Sequence, residues 1–166
     1  MTALVGRFAP GGDRWYRARP VDLEGQPSWL LGQMHAMWRR KFSRDTEEMV
    51  AALLDRDWCF LANTEWPPAV VADEEGRWVH VTGVGRAHPL GVSGRALVGR
   101  MPADPPGEGE EWAYLWEYAY GALHVYVAVA GRWEHIATLP LDVWAGLTDQ
   151  LVLDVQARRG WMERAA

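Results

Sequence analysis

The chain has 166 residues, 49% of them hydrophobic, with 11 Trp and a formal net charge of −5. So apolar a composition excludes a disordered or low-complexity chain, because there is ample surface to bury against the entropy of ordering. No uninterrupted apolar run reaches the length of about 18 residues that a membrane helix needs, and the lone Cys59 allows no internal disulfide, so a cytoplasmic protein without a membrane partner is expected.

Residues 1–27 mix Gly, Pro and Arg without a sustained period, which predicts an irregular or mobile arm ahead of a single domain over 28–166. Ser28 then offers a cap, and Leu30, Leu31, Met34, Met37, Trp38 and Phe42 form a stripe that predicts a helix over about 29–42. Its end carries Arg39, Arg40, Lys41 and Arg44, cations that suit a helix carboxyl terminus and that also fit phosphates or an acidic partner. They belong to a basic first quarter: residues 1–44 hold eight Lys/Arg against three Asp/Glu, and residues 45–166 nine against nineteen. Asp45 and Glu48 have capping-box spacing, and Met49, Val50, Leu53 and Leu54 continue a second helix over about 46–56 that pairs with the first.

From Trp58 the pattern turns to strands: "CFLAN", two strands within 69–85 around an Asp-Glu-Glu-Gly turn, and "RALVGRM". After the acidic Pro/Gly loop "PADPPGEGEE" comes an aromatic meander over about 110–140. A turn at Gly131–Arg132 would set Ala128 opposite His135 and His124 opposite Leu139. Alternation then sends Trp112, Tyr114, Trp116, Tyr118, Tyr120, Leu123, Val125, Val127, Val129 and Ile136 to one face, which the helices must cover. The other face collects Leu115, Glu117, His124, Tyr126, Trp133, His135, Ala137 and Leu139. A last helix is capped by Asp142, carries Trp144, Leu147, Leu151 and Val155, and stops before Gly160.

The expected fold is α+β: an antiparallel sheet of about six strands ending in a three-strand meander, with the N-terminal helix pair and the C-terminal helix mainly on one face. In that register His124 and His135 lie about 13 Å apart along neighbouring strands, too far to share a metal ion, and neither a metal nor a cofactor is expected. Cys59, between Trp58 and Phe60, reads as an inert buried thiol, and no Gly-x-Ser-x-Gly occurs. Glu117 falls opposite or diagonal to His124, a spacing that fits general acid–base work or a plain surface pair. The leading expectation is a non-enzymatic protein-interaction module, an adaptor, inhibitor or chaperone-like protein. It would dock, or dimerise with a second copy, through His124, Tyr126, Trp133 and His135. The alternatives are a nucleic-acid contact through Arg39, Arg40, Lys41 and Arg44, and a small acid–base enzyme using Glu117 and His124.

Overall fold

The computed structural model describes residues 2–64, 78–89 and 94–166. The α+β class holds, but among these residues the sheet has nine strands and is mixed rather than antiparallel. The difference begins at the amino terminus. The stretch read as an irregular arm carries β1 (Thr2–Phe8) and β2 (Trp15–Val21), an antiparallel hairpin in the middle of the sheet. Because β1 is interior, Ala3, Leu4 and Val5 are buried on both faces and show no alternation to read. Gly6 lets the hairpin close: a Cβ there would stand 1.9 Å from the Arg17 carbonyl oxygen.

Around that hairpin the order is β4 (Val79–Val81), β5 (Gly85–Ala87), β3 (Trp58–Leu61), β2, β1, β7 (Glu110–Trp116), β8 (Ala122–Val129) and β9 (Arg132–Pro140). The short β6 (Leu97–Arg100) also pairs with β2. Parallel pairing occurs at β1–β7 and at β2–β3; the other ladders are antiparallel. Of the two strands expected within 69–85, β4 lies near the second, and the first falls at residues outside those described.

Among the described residues four helices supply the cover. α1 (Pro27–Arg40) starts with Pro27 in its first turn instead of a Ser28 cap, and the Ser28 amide donates to Gln156 Oε1. α2 (Thr46–Leu54) is capped as its sequence indicates, Asp45 Oδ1 accepting from the Glu48 amide at 3.0 Å. The expected C-terminal helix is two: α3 (Leu141–Ala145) and α4 (Asp149–Ala165), broken at Gly146 and restarted by the Thr148 cap, with Gly160 inside α4. Between helices and sheet, Trp144 packs edge-on to Trp116 with centroids 5.2 Å apart and to Trp38 at 6.1 Å. Trp112, Tyr114, Leu123, Val125 and Val127 complete this main core. No helix among the described residues is long and apolar enough to cross a membrane.

The opposite sheet face has a core of its own. Leu4, Phe8, Tyr16, Ala18, Ala113, Leu115, Tyr126 and Trp133 cluster under Met101. The β1–β2 loop comes down on the same face, its Arg14 carbonyl accepting from the Met101 amide.

Candidate functional site

The site stands on the meander and on one local irregularity. The β8–β9 turn is Ala130–Gly131, both in the left-handed region at φ 51° and 74°, a two-residue turn that matches strand twist. Val129 therefore faces Arg132, Ala128 faces Trp133, and Tyr126 faces His135. Ile136 is then an extra residue, a bulge, after which Val125 faces Ala137 and His124 faces Thr138. Two expectations change. Ala137 and Leu139 join the helix-side core with Ile136, and His124 and His135 become neighbours.

His124 is buried on the floor of this second face, with both ring nitrogens engaged. Its Nε2 lies 2.9 Å from Glu117 Oε1, and its Nδ1 lies 3.1 Å from His135 Nε2. Glu117 opens the β7–β8 loop, its amide donating to the Ala122 carbonyl while its own carbonyl accepts from Tyr120. That loop aims the carboxylate diagonally across the ladder at His124, two positions beyond Leu115, the residue facing it. Thr138 Oγ1 completes the cluster, 3.1 Å from His135 Nε2 and 3.3 Å from His124 Nδ1.

Since a carboxylate only accepts, His124 carries its proton on Nε2 and presents the Nδ1 lone pair to His135 and Thr138. The His135 pKa is pushed below the usual imidazole value, first by burial, then by His124 and Arg14, against an opposing hydrogen bond to the Ala137 carbonyl. It is thus a neutral base at neutral pH.

Above these groups is a depression of about 410 Å³, whose walls include Pro102, Tyr126, Trp133 and Arg14. Arg14 Nη2 donates to Tyr126 Oη, and the guanidinium sits 4.5 Å above the Phe8 ring centroid. Burial raises the Tyr126 pKa, with Arg14 opposing it, so the phenol keeps its proton. Sequence reasoning missed Arg14 as a member of this site, and Thr138 too: strict alternation turns Thr138 to the wrong face, and nothing in the sequence marks the bulge.

Of the four residues expected to dock a partner, Tyr126 and Trp133 are each only 2% exposed, His124 is buried, and only His135 is exposed. Burial removes the two rings as surface anchors. The separation of about 13 Å that argued against a shared metal is replaced by direct contact. Among the described residues no cluster of three His, Cys, Asp or Glu is disposed to hold an ion. Arg39, Arg40, Lys41 and Arg44 are all exposed at the end of α1 and beyond it, Arg44 lying over the Trp38 ring at 5.8 Å. Cys59 is buried and its thiol pKa is raised, chiefly by burial.

A larger cleft, about 1230 Å³, lies on the helix side between α1, α4 and the sheet. Its walls include Trp29, Phe60, Trp112 and Leu153, and Arg159 there is already held by Glu111 and Glu163. It is roomy and largely apolar, with Glu24, Ser28, Thr64 and Glu163 among its polar lining.

Comparison of the chain with protein-family models, curated proteins and solved structures finds no match.

Proposed function

We propose that the protein is a small acid–base enzyme in which His135, backed by His124 and Glu117, takes a proton from a small molecule seated in the depression and returns it. One observation carries this reading: Glu117 Oε1, His124 and His135 Nε2 stand in line with contacts of 2.9 and 3.1 Å, the second becoming a hydrogen bond when His135 takes up a proton. Glu117 fixes the tautomer of His124. His124 in turn offers a lone pair to the proton that His135 acquires, so the charge is spread over two rings and a carboxylate.

The Thr138 hydroxyl lies within reach of both bases and supplies one donor to the two ring nitrogens. Tyr126, kept protonated by burial and oriented by Arg14, supplies a donor opposite. A protein-docking role for the same face keeps only His135 as exposed contact, which leaves the acid–base reading better supported.

The reading is tested by incubating the full chain in heavy water with a panel of small carbonyl and hydroxy compounds and following deuterium incorporation by mass. Incorporation into at least one compound is expected, with a loss of about a hundredfold in the Glu117→Gln variant. No incorporation across the panel, or a rate indifferent to Glu117→Gln in a folded protein, would sink it.

A further inference from the structure

We infer that the depression is a site for a small carboxylate, gripped by the Arg14 guanidinium beside His135. This deepens, and rests on, the acid–base reading of the same site.

Arg14 is the first ground. Its guanidinium is brought down among rings, 4.5 Å from the Phe8 centroid and 6.0 Å from that of Tyr126, where it gives one N–H to the Tyr126 oxygen. Among the described residues no carboxylate is paired with it. A guanidinium has five N–H donors in a planar fork that matches a carboxylate edge-on, so most of that capacity is unspent. The fork is also held in place. Arg14 has φ 58°, a conformation uncommon outside glycine, and its carbonyl is tied to the Met101 amide.

The second ground is the depression itself, about 410 Å³ and lined, besides Arg14, by His124, Tyr126, Trp133 and His135.

Arg14 supplies the positive charge at the depression; Glu117 is engaged by His124, and Glu134 is on the rim. The fork takes a carboxylate or a phosphate bidentately; the lining by Pro102, Tyr126 and Trp133 favours the anion that carries a carbon ring or chain. A carboxylate on Arg14 also neutralises the cation that opposes protonation of His135. Binding and proton uptake are therefore linked, and the carboxylate itself readies His135 to accept a proton from the neighbouring carbon or oxygen.

Benzoate, and in parallel inorganic phosphate, titrated into the full chain give the test, read by calorimetry and by the NMR signals of the Arg14 guanidinium and the His135 ring. Benzoate is expected to move both signals, to raise the pH at which His135 titrates, and to bind more tightly than phosphate. Arg14→Gln should lower its affinity about tenfold or more, and Arg14→Lys should recover part of that. An affinity indifferent to both substitutions, or signals that benzoate leaves unmoved, overturns the proposal. Tighter binding of phosphate overturns the carboxylate assignment. If Arg14→Gln does not fold, Arg14→Lys decides alone. Glu117→Gln separates the two readings: benzoate binding that persists while His135 titrates as before sinks the relay and leaves the carboxylate site standing.

Discussion

His124 shows how much one side chain can join. It is nearly enclosed, yet each ring nitrogen finds a partner, one on the half-buried Glu117 and the other on the exposed His135. The aromatic side chains on the far side of the sheet act differently. Trp116 and Trp144 leave their indole N–H groups without acceptors, so they are held by ring contacts and apolar burial, not by hydrogen bonds. Trp144 touches Trp38, His35 and Trp116 at once. Trp144→Ala should therefore destabilise the fold by about 3–5 kcal/mol in chemical denaturation. A loss under about 1 kcal/mol would show that the core closes over the gap. The sequence marks Trp144 plainly as a core residue by its helical spacing. Arg14 and Thr138 carry no such mark, since their value lies in which rings and strands come to meet them.

Among the elements, β1 is the one on which the architecture turns. It joins the hairpin with β2 to the meander by pairing antiparallel on one side and parallel on the other. At Gly6 the β2 backbone is so close that a methyl group would overlap the Arg17 carbonyl. Gly6→Ala should thus cost at least about 2 kcal/mol, the scale of overpacking against atoms that cannot turn away. An unchanged denaturation midpoint would mean that the hairpin can splay there. The meander was legible as alternation, and its helix-facing set from Trp112 to Val129 is buried as expected apart from Tyr118, which is exposed, and the partly buried Tyr120. Beyond Ile136 the alternation misleads, because one extra residue reverses the facing of everything after it.

At the scale of the whole molecule, titrating groups on both faces set a stability plateau. His35, packed against Trp144, and His135 both have pKa values lowered chiefly by burial, so each is neutral when folded and takes up a proton more readily when unfolded. Their contribution is present above the unfolded value of about 6.5 and is lost as pH falls through the lower folded values. Tyr16, raised to about 12, and Tyr114 and Tyr126, also raised, have the opposite sign. Their contribution is present below about pH 10 and is lost as pH rises toward the folded values. The thermal midpoint should be highest between about pH 6.5 and 10 and should fall on either side. A midpoint still rising as pH drops from 7 to 5 would contradict this account.

By itself the sequence determined the α+β class, the cap of α2, the stripe of α1 and the helix-facing side of the meander. Each rests on a local period of side chains, which the chain carries wherever it folds. Tertiary structure alone decided that the first residues become the middle of the sheet, that Tyr126 and Trp133 lie under a loop, and that His135 meets His124. Strand order, register and a bulge are settled by contacts between segments far apart along the chain, and no periodicity within one segment encodes them.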